Sequence, residues 1–258
     1  MSALAVLDEL RIGSVRYLNS KPLICAYDGP IALEHPSILA RQLVEQQLDV
    51  ALVPVFEAIR SPEFGIVDGV SISARGPVWS VFVAHREPLE AIREVYLDPA
   101  SLTSANLCRV IFSEFVKTKP EFLGGTAPEG AAQLLIGNQA IEFREKYGEA
   151  YQYLDFGEEW LRRTGQPFVF AVWLMRPGLK NPARIAEGFR ALAEAGKARI
   201  SQIVAAETDY TPEFTRRYLT EHIRYGLGVD EKCGMTLFRD LLARTGVLNA
   251  SGKPFLFY

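Results

Sequence analysis

The chain has 258 residues, of which 48% are hydrophobic and 23% charged, so it can bury a large core and divide it between two domains. Its 28 basic and 31 acidic side chains are interspersed and leave a formal net charge of −3, without the basic stripe that is typical of nucleic-acid binding. An anionic ligand therefore needs local hydrogen-bond donors rather than a global positive field.

Residues 1–10 include Asp8 and Glu9 and have neither a basic start nor a long apolar stretch. We therefore expect neither a signal peptide nor a membrane helix, and we predict a cytoplasmic protein. The three cysteines and three histidines are scattered, with no CxxC pair and no spacing typical of metal ligands. The sequence predicts free thiols and no metal site.

Short β-branched runs alternate with helical stretches over the first part of the chain, which is typical of a parallel α/β layer. A short helix opens at Asn19-Ser20, and the next helix is amphipathic with a cap at Ser37. The predicted elements are strands at 11–17, 31–34, 49–55, 69–73 and 78–84, and helices at 22–26, 37–47 and 56–60.

A second unit begins near Val95, and the chain leaves it at Arg176-Pro177-Gly178. Within this unit, the stretch at 118–132 is rich in Pro and Gly and is predicted as a loop with one weak strand. The predicted elements are strands at 95–98, 133–136 and 168–175, helices at 104–116 and 138–146, and three C-terminal helices at 181–208, 212–225 and 230–245, capped by Asn181, Thr211 and Asp230.

The C-terminal helices need a partner, and only the first set of strands is left for them to cover. We therefore predict one discontinuous α/β lobe made of residues 1–94 and 177–258, and an inserted α/β lobe made of residues 95–176. Two lobes joined by two crossings form a hinged central cleft, which is a common place for a small molecule.

Five short segments lie mostly at junctions between a predicted strand and the element after it. Backbone N–H groups and small hydroxyls can converge on one ligand at such junctions. The segments are Tyr17-Leu18-Asn19-Ser20, Gly76-Pro77-Val78-Trp79-Ser80-Val81, Leu102-Thr103-Ser104-Ala105-Asn106-Leu107, Ile136-Gly137-Asn138 and Phe168-Val169-Phe170-Ala171-Val172-Trp173.

In this order, the segments resemble the menaquinone-biosynthetic chorismate dehydratases of the futalosine route, which have a periplasmic-binding-protein type II fold. The resemblance covers residues 11–173, and its specificity lies in the ordered set rather than in any one piece. It implies an enzyme that removes water from chorismate to give 3-[(1-carboxyvinyl)oxy]benzoate, with no metal and no organic cofactor.

Asn19 and Ser80 are the catalytic residues that the resemblance implies. From the residues alone, Asn19 fits either a cap or turn, or an amide that donates to a carboxylate or to a leaving hydroxyl. Ser80, placed inside the predicted strand at 78–84, either satisfies a local carbonyl or presents its hydroxyl on the face opposite Trp79 and Val81.

The resemblance also implies substrate-binding roles at six further positions. Thr103 and Ser104 open a helix, where they either form an ordinary cap or hold a carboxylate without a basic side chain. Asn138 stands where the family often has aspartate, so either that acid is not essential or this member differs. The six positions are Ser20, Thr103, Ser104, Ala105, Gly137 and Asn138.

Four other side chains in or near these segments fit structural roles. Glu57 and Arg75 fit surface or hinge salt bridges at least as well as a place in the site. Trp79 and Trp173 fit packing better than stacking on a ligand.

Three other functions share parts of this pattern. A non-catalytic protein that binds small anions has the same fold but is normally exported. A related naphthoate synthase of the same pathway typically opens with a Cys-Pro-Asn-Asp type segment and uses a catalytic histidine, which this pattern lacks. A ligand-sensing domain of a regulator needs a DNA-binding helix pair. The predicted partner is therefore chorismate alone, with no nucleic acid, no membrane and no assigned oligomeric state.

Overall fold

The computed structural model describes residues 3–98, 102–248 and 253–258. The chain forms two compact units, each built around one sheet. Unit 1 comprises Met1–Ser73, Val169–Val229 and Gly252–Tyr258, and unit 2 comprises Ala74–Phe168 and Asp230–Ser251.

The described residues contain eleven strands and ten α-helices. The strands are β1 (Ile12–Ser14), β2 (Ile31–Leu33), β3 (Val50–Pro54), β4 (Gly65–Ala74), β5 (Val81–His85), β6 (Glu94–Tyr96), β7 (Glu121–Leu123), β8 (Gln133–Ile136), β9 (Gln152–Asp155), β10 (Phe168–Met175) and β11 (Leu256–Phe257). The helices are α1 (Lys21–Ile24), α2 (Pro36–Val44), α3 (Val55–Arg60), α4 (Leu102–Val110), α5 (Gly137–Tyr147), α6 (Phe156–Thr164), α7 (Pro182–Lys197), α8 (Ile200–Ala206), α9 (Pro212–Arg217) and α10 (Val229–Arg244).

Shorter helical turns extend or join these elements. Two π-helical segments continue α4 and α9, at Ile111–Val116 and Tyr218–His222. The 3-10 turns are Ala3–Glu9, Leu18–Ser20, Leu89–Ala91 and Gly148–Ala150.

Unit 1 has a six-stranded sheet in the order β11-β4-β10-β3-β1-β2. β1 runs parallel to β2 and β3, which confirms the predicted parallel layer, and β10 is antiparallel to β3. β3 and β10 are buried along nearly their whole length, which explains why their sequences are continuous apolar runs rather than alternating ones. Trp173 on β10 packs against Phe189 of α7 with ring centroids 4.5 Å apart, so the packing role predicted for it is confirmed.

Unit 2 has a five-stranded sheet in the order β7-β6-β8-β5-β9. β5 is antiparallel to both β8 and β9, and β6 is parallel to β7 and β8. Its core includes Trp160, which packs edge-on against Phe168 and Phe238 at centroid distances of 5.0 and 6.0 Å. Such edge-to-face contacts are the favoured geometry for buried aromatic rings.

The compact units differ from the predicted lobes, because two elements lie in unit 2 rather than in the first lobe. β5 pairs with β8 and β9, so the first boundary is at residue 74 instead of 94. α10 also belongs mostly to unit 2: its Phe238 packs against Trp160, and its Gly234 lies so close to the Pro167 carbonyl that a side chain would overlap it. The sequence shows that β5 and part of α10 are apolar. It does not show which sheet β5 joins or which sheet α10 packs against.

Several element ends also differ from the predictions for local reasons. His35, rather than Ser37, caps α2, since its ring nitrogen accepts from the Ser37 N–H. The helix predicted at 181–208 is interrupted between α7 and α8, and the elements β9, α6 and β11 were not predicted. The cap predicted at Thr211 is confirmed, because its hydroxyl accepts from the Phe214 N–H at 3.2 Å.

A buried carboxylate joins three strands of unit 1 at the end of the sheet where β1 and β3 begin. Asp49 accepts hydrogen bonds from the backbone and guanidinium of Arg11 at 2.9 to 3.0 Å and from Arg176 at 2.9 Å. Burial raises the pKa of Asp49, but the bonds from Arg11 and Arg176 outweigh burial and lower it to about 2.

We expect Asp49→Asn to lower the free energy of unfolding by about 2 kcal/mol near neutral pH. Because the folded-state pKa is depressed, this stabilisation is complete above the unfolded-state pKa and is lost as pH falls from about 4 to about 2. Urea unfolding at a series of pH values measures it. Asp240→Asn, which alters an exposed pair with Arg239, is the control. A difference between wild type and Asp49→Asn that stays constant down to about pH 2 contradicts the prediction.

Candidate functional site

The segment that follows β1 holds Asn19 in a tight turn. The Ser20 hydroxyl shares its proton between the carbonyls of Val15 and Tyr17, at 2.7 and 2.8 Å, and the Ser20 N–H donates to Tyr17 at 3.0 Å. Pro22 follows at the start of α1, where its fixed φ suits a first turn. The hydroxyl of Ser20, predicted to bind substrate, is thus engaged in shaping the turn that carries Asn19.

Helix α7 packs against the residues that follow this turn. Gly196 lies against the Pro22 carbonyl so closely that a side chain there would overlap it. This contact brings α1 close to α7, and glycine at 196 is what permits it.

The amide of Asn19 has a defined orientation. Its Nδ2 donates to the phenolic oxygen of Tyr218 at 3.2 Å. Its Oδ1 is buried and accepts no hydrogen bond from any described residue. An unpaired buried acceptor costs free energy, so its retention indicates a role other than stability.

Four elements of unit 2 meet at one edge of its sheet. β8 and β9 end there and lead into α5 and α6, and β5 begins there, as the register of Val81 with Ile136 and of Phe82 with Asp155 shows. β6 runs parallel to β8 and therefore ends at the same edge, ahead of α4. The N-termini of α4, α5 and α6 thus lie at the same edge. Those of α4 and α5 suit an anionic ligand, whereas that of α6 is capped by the Asp155 carboxylate.

Asp155 ties the 76–80 loop to the start of α6. Its carboxylate accepts from the N–H groups of Val78 and Trp79 in the loop, at 3.0 and 2.8 Å, and from Gly157 and Glu158 at 3.0 and 3.1 Å. Burial raises the pKa of Asp155, and the N–H donors and the guanidinium of Arg144 oppose that rise.

The loop has a strained backbone that its neighbours hold in place. Trp79 has φ of 69°, a left-handed conformation that is uncommon for a bulky residue. The guanidinium of Arg144 lies over its ring, 3.8 Å from the centroid, and burial lowers the pKa of Arg144. Gly157 approaches the Gly76 carbonyl so closely that a side chain would overlap it. The loop is therefore held by Arg144 of α5 and by Gly157 of α6.

Ser80 lies in this loop, directly before β5, and not inside a strand as predicted. The residue is fully buried, and its Oγ is 3.5 Å from the Val78 carbonyl. The Ser80 carbonyl accepts from the Gly137 N–H at 2.8 Å, so Ser80 lies beside Gly137 and Asn138 at the start of α5. The structure thus brings three of the predicted site residues together.

The first turn of α4 supplies the remaining predicted site residues. Thr103, Ser104 and Ala105 are buried, and α4 packs against β8, the strand that leads into Gly137. Six of the eight predicted site residues therefore belong to unit 2, and only Asn19 and Ser20 belong to unit 1. The placement of Ser80 in the same lobe as Asn19 was wrong, because β5 belongs to the second sheet.

Sequence reasoning missed three polar residues that position this site. Asp155 carries a recognisable signal, since an aspartate followed three residues later by glutamate is typical of a helix start. Arg144 and Tyr218 carry none, because each acts on a residue far away in sequence. Glu57 and Arg75 form ion pairs with Arg60 and Asp230, as predicted for structural residues.

Residues 3–98, 102–248 and 253–258 contain neither a metal-ligand set nor a membrane-spanning helix. Nowhere among them do three His, Cys, Asp or Glu side chains come together as a metal-ligand set. No helix in the same ranges combines the length and apolar character that spanning a membrane requires.

The fold is of the periplasmic-binding-protein type. A protein of Archaeoglobus fulgidus, solved by a structural genomics consortium, has a TM-score of 0.73 at 13% identity and covers 93% of this chain and 98% of its own. The periplasmic aliphatic sulphonate binding protein SsuA of Escherichia coli has a TM-score of 0.61 at 15% identity and covers 93% of each chain. The likeness confirms the predicted fold class.

Residues 10–244 match the protein family described as menaquinone biosynthesis, and the chain belongs to that family. It is 27% identical over 278 residues to chorismate dehydratase of Thermus thermophilus, covering 96% of this chain and 97% of the relative. It is 25% identical over 224 residues to chorismate dehydratase of Campylobacter jejuni, covering 86% and 88%. The predicted resemblance is therefore confirmed.

Proposed function

We propose that the protein removes water from chorismate to give 3-[(1-carboxyvinyl)oxy]benzoate, a step of menaquinone biosynthesis by the futalosine route. The observation that carries the proposal is the match to chorismate dehydratase along almost the whole of both chains, within a family described by the same pathway. The first site segment is Tyr17-Leu18-Asn19-Ser20 rather than a Cys-Pro-Asn-Asp type segment, and none of the site segments contains a histidine. Both features disfavour the related naphthoate synthase.

The reaction suits a site that is rich in hydrogen-bond donors. Losing the ring hydroxyl and a neighbouring ring proton makes the ring aromatic, so the enzyme has only to lower the barrier. The proton is conjugated with the ring carboxylate, so charge that develops on its removal spreads into that group. Donors aimed at the carboxylate then stabilise the transition state.

The edge of the second sheet has suitable donors. The first N–H groups of a helix have no acceptor within that helix. At the start of α5 the Gly137 N–H donates to the Ser80 carbonyl, and polar side chains of Thr103, Ser104 and Asn138 stand in the first turns of α4 and α5. These groups bind a carboxylate without a basic side chain, as a chain of low net charge requires. We assign carboxylate binding to Thr103, Ser104, Ala105, Gly137 and Asn138. Ser20 has a different role, which is to shape the turn that carries Asn19.

Catalytic roles are proposed for Asn19 and Ser80. Both are short polar side chains that follow or precede a strand. Asn19 bonds to Tyr218, and the loop that carries Ser80 is held by Asp155 through the N–H groups of Val78 and Trp79. Asn138 is a neutral amide at the second position of α5, so it serves as a donor and not as a proton acceptor.

The test is an assay of purified protein with chorismate, with and without EDTA. We expect chorismate to disappear and an aromatic enolpyruvyl ether to appear at equal rates in both samples, measured by liquid chromatography with absorbance detection. Chorismate that binds but stays unchanged supports the alternative, a non-catalytic protein that binds small anions. A rate that EDTA abolishes contradicts the metal-independent reaction.

We also propose that the protein works in the cytoplasm. The three cysteines are free thiols rather than disulfides, which suits a reducing compartment. Cell fractionation tests this, and recovery in the periplasmic fraction contradicts it.

A further inference from the structure

The phenol of Tyr218 sets the orientation of the Asn19 amide. We propose that Tyr218 is a positioning residue, which holds Nδ2 of Asn19 so that Oδ1 is presented to the substrate as a hydrogen-bond acceptor. The proposal rests on the proposed function and adds to it the atom of Asn19 that acts and the substrate group that it meets.

Burial and ring stacking fix the position of the Tyr218 side chain. It is 1% exposed, and its ring stacks on Phe214 with an interplanar angle of 12° and centroids 5.7 Å apart. It also begins the π-helical segment, in which the Ile223 N–H donates to the Tyr218 carbonyl at 3.1 Å. Such widened turns occur often at functional sites, because the extra residue redirects side chains.

A phenol oxygen is a good acceptor for an amide N–H, so the hydroxyl of Tyr218 suits the Nδ2 of Asn19.

The orientation decides what Asn19 can bind. With Nδ2 engaged by Tyr218, the atom that lacks a partner is Oδ1, a carbonyl oxygen. A carbonyl oxygen attracts a hydroxyl and repels a carboxylate. The substrate group that fits is therefore the ring hydroxyl of chorismate, the group that leaves, and not either of its two carboxylates.

Tyr218→Phe tests the positioning role, because phenylalanine keeps the ring and its stack on Phe214. We expect kcat for chorismate to fall by about tenfold or more, with KM within about twofold and Tm lowered by only a few degrees. Tyr210→Phe is the matched control: it removes another buried phenol oxygen from the same aromatic cluster, since Tyr210 packs on Phe214 at 5.7 Å, and it should leave kcat at the wild-type value.

A double-mutant cycle separates positioning from a structural effect. If Tyr218 acts through Asn19, Tyr218→Phe has no further effect on kcat in an Asn19→Ala background. An equal loss of kcat in both backgrounds overturns the proposal, as does a Tyr218→Phe variant with wild-type kcat.

Asn19→Asp tests which atom faces the substrate. An aspartate can accept the Tyr218 hydroxyl proton and still present an acceptor oxygen, so we expect it to retain at least about tenfold more turnover than Asn19→Ala. If Nδ2 instead donates to a substrate carboxylate, the added negative charge makes Asn19→Asp slower than Asn19→Ala, and the proposal falls.

A spectroscopic measurement makes the inference independent of turnover. The chain has five asparagines, so selective 15N-asparagine labelling gives few side-chain amide signals, and Asn19→Ala identifies the pair from Asn19. We expect Tyr218→Phe to shift this pair while Tyr210→Phe does not. A wild-type protein that fails to convert chorismate contradicts the proposed function, and the amide signals still decide whether Tyr218 orients Asn19: an unmoved pair overturns it.

Discussion

Replacing Ser80 with alanine is expected to lower kcat for chorismate by about 100-fold or more without unfolding the protein. The bond from its hydroxyl to the Val78 carbonyl is long, at 3.5 Å. Its position beside Gly137 and Asn138 at the start of α5 places it where we propose that substrate binds. Steady-state kinetics with chorismate and a thermal melt of the same sample measure the two effects.

The chain offers a matched control for this substitution. Ser73 is a second fully buried serine, and its Oγ lies 3.4 Å from the Arg224 carbonyl, so Ser73→Ala removes a bond of the same kind and length. Ser73→Ala should keep wild-type turnover. Equal losses of kcat in the two variants, in proportion to their melting temperatures, show that Ser80 is structural and remove it from the chemistry.

Replacing Asp155 with asparagine is expected to lower the free energy of unfolding by about 3 to 5 kcal/mol and to reduce turnover as well. One oxygen can still accept from the start of α6, but the new NH2 group faces the Trp79 N–H, and two donors cannot pair. The change also removes the charge 4.0 Å from the Arg144 guanidinium. Trp79, which has a left-handed φ, then loses its anchor.

Urea unfolding followed by the fluorescence of the tryptophans measures this loss. Asp230→Asn makes the same chemical change in the same unit, but at a carboxylate whose side chain is 60% exposed and paired with Arg75, so a change below about 0.5 kcal/mol is expected. If Asp155→Asn is no more destabilised than Asp230→Asn, the Asp155 bonds do not hold the 76–80 loop.

Regular elements could be predicted where a local pattern fixes them. β8 and β10 have the predicted ends, because each is a short apolar run bounded by glycine, proline or a helix start. The parallel pairing of β1, β2 and β3 followed from the alternation of strands with helices. The same alternation predicted an α/β fold, and the family resemblance implied that it is of the periplasmic-binding-protein type.

Partners distant in sequence could not be predicted. An apolar run such as β5 fits either sheet equally well, and only its pairing with β8 and β9 decides between them. Tyr218 meets Asn19 across 199 positions of sequence, and Arg144 of α5 meets Trp79 of the 76–80 loop, so neither contact produces a local sequence pattern. The proposed site residues stand in motifs that are visible in the sequence, but the residues that contact them do not.

The order of strands in the first sheet constrains how the chain can fold as it leaves the ribosome. β10 lies between β3 and β4, although it is made about a hundred residues after them. β3 and β4 do not pair with each other, so the sheet has a gap at its centre until β10 has emerged. The five strands of the second sheet, by contrast, are consecutive from β5 to β9 and need no later strand. The part of the protein that is synthesised first is therefore not the part whose sheet can be completed first.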